Sequence, residues 1–265
     1  MDPMHAARNA GSAAVAPRPT VLVTGGARRV GRAIALELAA AGCNLVLTYR
    51  SSGSACAATA DDARRVARQA GHEVDAHAIA LDLADARSVE RAAAEVAALG
   101  CDAIVHNASE YRPTPFGELC AEDLEHMHRV EVVGPMLLTQ ALRGELSRSR
   151  IAGGGAVVFF SDIYALGRPR AGYAAYLVAK AGVRALSEQL ALELAPQVRV
   201  NCIAPGVVMW PEGFPEETKQ AILARTPLAR AGEPEEAARL VRFLVLEATF
   251  MTGETMRIDG GRSLR

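Results

Sequence analysis

Hydrophobic residues along this chain fall into two alternating patterns. Short apolar runs occur at Val21–Thr24, Asn44–Tyr49, Asp75–Leu81, Ala103–His106, Ala156–Phe160, Val198–Ile203 and Met256–Ile258. Between them lie longer stretches with apolar residues every three or four positions: Val30–Ala41, Ser54–Ala70, Ala86–Leu99, Ala121–Arg148, Ala174–Leu194, Pro215–Ala224 and Pro234–Leu246. The short runs predict strands and the long stretches helices. The strand runs lack polar alternation, as expected of strands covered by helices on both faces. Regular strand–helix alternation predicts an α/β fold, a doubly wound parallel seven-stranded sheet with right-handed crossovers. No repeat or composition break divides residues 19–265, so they read as a single domain. Residues 1–18, rich in Ala with Gly, Ser and Pro, read as a disordered leader whose apolar run is too short for a signal peptide.

Charge and cysteine usage narrow the chemistry. The formal net charge is -1 and no long block of like charge occurs, so nucleic-acid or anionic-membrane binding has no electrostatic footing. No run approaches transmembrane length. The five cysteines, Cys43, Cys56, Cys101, Cys120 and Cys202, form no C-x-x-C pair and no metal-ligand spacing. They suit free thiols in a reducing cytoplasm, where this protein is expected to reside. No metal site is expected: His126 and His128 sit two apart on a helix and face different directions, and His106 reads as packing at a strand end.

In a doubly wound sheet, ligands gather at the carboxyl ends of the strands. The first strand ends in Thr24-Gly25-Gly26-Ala27-Arg28-Arg29-Val30-Gly31. Glycines there let backbone N–H groups approach a pyrophosphate, and the helix N-terminus adds its positive end. Gly25, Arg28, Arg29, Val30 and Gly31 are therefore candidate cofactor-binding residues. Arg29 stands where such a loop usually keeps another glycine, so either the loop is degenerate or the arginine reaches a ligand. The second strand ends in Tyr49-Arg50-Ser51, where an NAD site carries an acidic residue about 20 residues after the loop. A guanidinium suits a 2′-phosphate, so NADPH is the expected cofactor. The third strand ends in Asp82-Leu83, with Asp82 placed to accept from the adenine amino group. The fourth ends in Asn107-Ala108-Ser109, with Asn107 bracing the backbone and Ala108 allowing close approach.

Tyr176 and Lys180 lie four apart at the start of a periodic helix and share a face. A lysine charge beside a phenol favours phenolate, which predicts a lowered Tyr176 pKa and a proton donor usable near neutrality.

These motifs, with Asn201-Cys202-Ile203-Ala204-Pro205-Gly206, Thr226-Pro227-Leu228, Gly232-Glu233-Pro234-Glu235-Glu236 and Thr252-Gly253 before Asp259-Gly260-Gly261, resemble the short-chain dehydrogenase/reductase family from Thr20 onward. The resemblance implies a Rossmann fold, a nicotinamide cofactor held in part by Pro205 and Gly206, Tyr176 as catalytic acid, and Lys180 on the nicotinamide ribose. It also implies a homotetramer or homodimer built through the helices at about 121–148 and 174–194. The segment from Met209-Trp210 to Ala224 resembles the family's substrate-covering segment, where Trp210 either faces substrate or anchors the lid.

Two positions depart from the family. Its catalytic serine would fall at Ile163, whereas Ser161-Asp162 lies just upstream; a one-residue insertion before Tyr176 would make Asp162 the catalytic counterpart. The helix asparagine expected before Pro135 is replaced by Glu131, which puts an asparagine-linked proton relay in doubt. Arg29, Tyr49-Arg50-Ser51, Asn107-Ala108-Ser109 and Asp162 are similar to the pteridine reductases, and the loop, the His106-Asn107-Ala108-Ser109 turn and the Asp259-Gly260-Gly261-Arg262 ending look like the bacterial dihydromonapterin reductases. That likeness implies that Arg29 spans cofactor phosphate and a pterin-like substrate, with Tyr111 stacking on the pterin ring; the less favoured alternative for Tyr111 is a partly exposed loop tyrosine. The expected activity is NADPH-dependent reduction of a dihydropterin, with some dihydrofolate reduction. The alternatives are a carbonyl or 3-oxoacyl thioester reductase, against which Asp162 and Arg29 argue, and a non-enzymatic NADPH sensor, which has no need of Tyr176 and Lys180.

Overall fold

A computed structural model of the chain describes residues 18–265 apart from 168 and 212. The leader expected at residues 1–18 lies, except for Arg18, outside the described residues. The seven apolar runs become strands β1 (Thr20–Val23), β2 (Asn44–Tyr49), β3 (Ala76–Ala80), β4 (Ala103–His106), β5 (Gly155–Phe160), β6 (Val198–Pro205) and β7 (Thr255–Ile258). They form one seven-stranded sheet in the order β3-β2-β1-β4-β5-β6-β7, and every pairing is parallel. Strand order reverses between β1 and β4, which opens the crevice where such sheets bind ligands. The central strands β1, β4 and β5 are buried at every position, as the absence of polar alternation required.

Helices cover both faces. On one side α1 (Arg29–Ala40), α2 (Gly53–Gln69) and α9 (Pro234–Leu246) pack a core that includes Ile34, Leu38, Ala63 and Leu244. On the other, α3 (Ala86–Leu99), α5 (Gly134–Ala141), α6 (Arg143–Ser147) and α7 (Ala174–Glu193) enclose Val96, Leu138, Leu146 and Val183. Helix α4 (Ala121–His128) precedes α5, and α8 (Glu216–Ala224) lies over the carboxyl ends of the strands. At the opposite end of the sheet, buried Asp102 accepts from the Thr20 N–H at 2.8 Å and pairs with Arg150 at 2.6 Å.

The single helix expected at Ala121–Arg148 is corrected to three. Residues Arg129–Val133 form a π-turn between α4 and α5, and the chain breaks again at Leu142 before α6. Pro135 supplies the reason: it has no N–H for the Glu131 carbonyl four residues back, and its ring crowds that carbonyl. The extra residue accommodated in the π-turn aims Glu131 into the protein, where it is 3% exposed.

Candidate active site

The glycine loop is built by close contacts. Gly25 has φ +65°, and a Cβ there would stand 3.0 Å from the Ala108 Cα; at Gly31 it would stand 2.1 Å from the Gly25 carbonyl oxygen. Asn107 donates from Nδ2 to the Thr24 and Gly25 carbonyls at 3.0 and 3.2 Å, bracing the loop as expected. The Thr24 hydroxyl accepts from the Asn107 and Ala108 N–H groups, both at 3.0 Å, tying the end of β1 to the end of β4. Arg28 caps α1 without a side-chain acceptor, so the first-turn N–H groups have no side-chain partner there.

A cavity of about 430 Å³ runs along these strand ends. Every cofactor candidate up to Ser109 lines it: Gly25, Arg28, Arg29, Val30 and Gly31 from the loop, Tyr49, Arg50 and Ser51 after β2, Asp82 and Leu83 after β3, and Asn107, Ala108 and Ser109 after β4. Its size, its glycine cradle and a guanidinium at the β2 end fit a phosphorylated dinucleotide. Asp82 is partly committed, since its Oδ1 accepts from the Ala84 N–H at 2.9 Å.

A second cavity, about 250 Å³, adjoins the first, and Arg29, Val30, Asn107 and Ser109 line both. It holds Tyr111, Asp162, Tyr176, Lys180, Pro205, Gly206 and Trp210, so each remaining candidate reaches one space. Arg29 sits at the junction in the left-handed region, φ +53°, a conformation held only where surroundings enforce it. Its Nη2 donates to the Trp210 carbonyl at 3.3 Å. Trp210 combines both sequence readings: it lines the cavity, and its ring packs on Phe214 at 5.4 Å. Tyr111 is 43% exposed, yet its ring stacks on Tyr173 at 4.8 Å and meets Tyr176 edge-on at 5.1 Å.

The chemistry centres on the first turns of α7. Tyr176 and Lys180 are 6% and 3% exposed, and the Tyr176 hydroxyl donates to Asp162 Oδ2 at 3.2 Å. The one-residue offset before Tyr176 thus still brings the carboxylate to the phenol. Ser161 turns away: its hydroxyl donates to the Lys180 carbonyl at 2.8 Å. Lys180 Nζ donates to the Phe160 carbonyl at 2.7 Å and pairs with Glu131 Oε2 at 2.8 Å. Glu131 Oε1 accepts from the Ser109 hydroxyl at 2.7 Å and the Glu110 N–H at 3.0 Å.

This arrangement reverses the expected effect of lysine on tyrosine. Burial, then the charges of Asp162 and Glu131, push the Tyr176 pKa well above its ordinary value. The Lys180 charge is answered by Glu131, a partner that helix spacing around Tyr176 does not reveal. Burial also raises Asp162, although the Tyr164 N–H and Lys180 oppose it. The phenol therefore keeps its proton through neutrality, beside a carboxyl group that takes one up more readily than an exposed aspartate.

Three further residues join the site without having been singled out from the sequence. Glu110 forms a close ion pair with Arg50 and bonds His126 Nε2 at 3.0 Å. Arg170 lies over the Tyr173 ring at 4.7 Å and donates to the Tyr111 hydroxyl at 3.1 Å, and Tyr173 completes the stack. Glu110 follows the Asn107-Ala108-Ser109 turn directly, which was the available signal; Arg170 and Tyr173 lie in an aperiodic loop that offered none. Among the described residues no cluster of metal-binding side chains occurs and no helix is long and apolar enough to cross a membrane. His106 is held neutral, its pKa pushed down to about 3 by burial, with Nε2 2.8 Å from the Thr139 hydroxyl.

Comparison with known proteins matches residues 25–263 to a family profile described as enoyl-(acyl carrier protein) reductase. A 3-oxoacyl-[acyl-carrier-protein] reductase from Aquifex aeolicus is 35% identical over 246 residues, covering 91% of this chain and 95% of that one. A dihydromonapterin reductase from an Enterobacter species is 31% identical over 251 residues, covering 94% and 98%. Among solved structures, a short-chain type dehydrogenase/reductase from Mycobacterium ulcerans superposes with a TM-score of 0.84 at 29% identity, covering 93% of this chain and 90% of that one.

Proposed function

The chain belongs to the short-chain dehydrogenase/reductase family, oxidoreductases that use a nicotinamide cofactor, and on that premise we propose that it reduces a dihydropterin with NADPH. The observation that carries this reading is the Asp162 carboxylate 3.2 Å from the Tyr176 hydroxyl in an aromatic-lined cavity. A carboxylate accepts from the ring N–H and amino groups of a pterin; a serine hydroxyl better serves a carbonyl oxygen becoming an alkoxide.

NADPH held along these strand ends would supply the hydride for a ring C=N carbon. The residues of this chain do the rest. Arg50, with Ser51 beside it, receives the 2′-phosphate and so selects NADPH; Arg29 spans the cofactor phosphates and the substrate ring. Tyr111 offers a flat aromatic surface for offset stacking. Tyr176 delivers a proton to the ring nitrogen, and Asp162 orients the phenol, takes up a proton from solvent and passes it to the phenolate left behind. Lys180, fixed by Glu131 and the Phe160 carbonyl, holds the ribose.

A second reading, reduction of a 3-oxoacyl thioester, is supported by the similarity to the Aquifex aeolicus protein. Asp162 in place of a hydroxyl weighs against it. NADPH oxidation measured with dihydromonapterin and with an acetoacetyl thioester separates the two. Turnover of the pterin is expected, and turnover of the thioester alone would overturn the proposal. Tyr176→Phe should retain NADPH binding while losing roughly 10²–10⁴-fold in kcat, the usual contribution of a positioned acid; a variant of near-normal kcat would remove Tyr176 as the donor.

A further inference from the structure

Beside the aromatic cavity lies another, about 390 Å³, that the proposed reaction leaves unused. It opens between the loop after β5, helix α8 and the last turn of the chain. Four arginines, Arg170, Arg225, Arg262 and Arg265, line it, and among the described residues no aspartate or glutamate does. Two carboxylates near it in sequence are engaged elsewhere: Asp259 accepts from the Gly261 and Ser263 N–H groups at 3.0 and 2.7 Å, and Glu216 is bonded to Lys219 and Gln220 on its own helix.

Arg262 gives an independent sign. Its Nη1 is buried and has no hydrogen-bond partner among the described residues, and its Nη2 reaches the Tyr164 hydroxyl only at 3.5 Å. A buried guanidinium nitrogen without an acceptor is costly, so this one calls for an oxygen that the described residues do not provide. The cavity is also joined to the reaction site, because Tyr164, Arg170 and Ile222 line both spaces. Arg170, wedged against Tyr173 and bonded to Tyr111, stands between the place for a ring and the place for a charge.

We propose that this cavity is an anion subsite that takes the carboxylates of a tail carried by the substrate while the reacting ring lies against Tyr111 and Asp162. The inference rests on the dihydropterin reading and narrows it to pterins with an acidic extension, of which dihydrofolate is the available probe. Forked guanidinium donors match carboxylate oxygens in pairs, and several converging on one cavity discriminate strongly against a neutral tail. Phosphate oxygens share that chemistry, so a phosphate-bearing thioester is the competing source.

The test uses pairs of substrates that differ only in charge remote from the reacting atoms. With dihydrofolate, Arg225→Glu should raise KM about tenfold, the loss of one charge-assisted contact, and Arg262→Gln should act in the same direction. With dihydromonapterin, which has the same ring and no acidic tail, Arg225→Glu should leave both kcat and KM unchanged. Added salt should raise KM for dihydrofolate in the parent protein and leave dihydromonapterin unaffected. Equal effects on both pterins, or no effect on either, would overturn the subsite. Turnover of acetoacetyl-coenzyme A but of neither pterin would overturn the dihydropterin reading; Arg225→Glu raising that thioester's KM, but not that of its phosphate-free cysteamine analogue, would then preserve an anion subsite with phosphate as its ligand. Insensitivity of both thioesters would overturn the two together.

Discussion

Glu131 and Glu110 each answer a cation of the candidate site, and they do so in opposite surroundings. The Lys180–Glu131 pair is sealed, its side chains 4% and 2% exposed, with the second carboxylate oxygen and the ammonium further bonded. The Arg50–Glu110 pair stands at the open cavity, 56% and 21% exposed. Two ions buried together are stable only while both are present, so the first pair is a permanent fixture. An exposed pair is worth little and exchanges readily, so Arg50 can be transferred to an incoming phosphate at small cost. The same chemistry fixes a geometry in one place and keeps a cation available in the other.

Breaking the buried pair should have the largest effect. Glu131→Ala leaves the Lys180 charge uncompensated, and urea denaturation should register a loss of about 3–5 kcal/mol. Replacing both members, as Glu131→Leu with Lys180→Met, should recover most of that stability and none of the activity; a double variant as unstable as the single one would show that charge burial is not the cause. Glu131→Gln also removes a negative charge that raises Tyr176. The phenol then ionises at lower pH, so the alkaline limb of kcat/KM should move to lower pH, and an unmoved limb would uncouple Glu131 from Tyr176.

At the open pair, Arg50→Ala should weaken NADPH binding about tenfold, as measured by fluorescence titration, and leave NADH unchanged, since one charge-assisted contact is lost. Equal losses for the two cofactors would end the 2′-phosphate assignment. The smallest change is expected of Glu110→Gln: stability within about 1 kcal/mol of the parent, as for other exposed pairs, and NADPH bound slightly more tightly. A large destabilisation there would erase the contrast between the pairs.

Much of the architecture was legible because burial leaves a local trace. The apolar runs of β1, β2, β4 and β5 and the glycine loop identify themselves, since strands covered on both faces admit few polar residues. The candidates at four strand ends do share two adjoining cavities, because a parallel sheet delivers all its carboxyl ends to one edge. What the sequence concealed depends on contacts between distant segments. Helical spacing revealed Lys180 beside Tyr176, but burial, with the charges of Asp162 from the end of β5 and Glu131 from the π-turn, reverses the pKa shift. Pro135 is a local signal for the π-turn at 129–133, but the apolar periodicity runs across it and masks the change. Arg170 and Tyr173 occupy a loop where no period exists to mark which side chains turn inward.

The π-turn carries a consequence for how this gene can vary. A π-turn holds one residue more than the α-helical turn it replaces, and that surplus is what turns Glu131 inward. Deleting one residue from 129–133 would let the segment close as ordinary α-helix, with α4 and α5 still in phase and Leu138 still in the core, but with Glu131 carried off Lys180. A second inserted residue has no such turn to absorb it and would rotate α5 by about a quarter-turn. This stretch should therefore keep its fold and lose its activity on a single-residue deletion, and lose both on a single-residue insertion, an asymmetry that a scan of insertions and deletions would read directly.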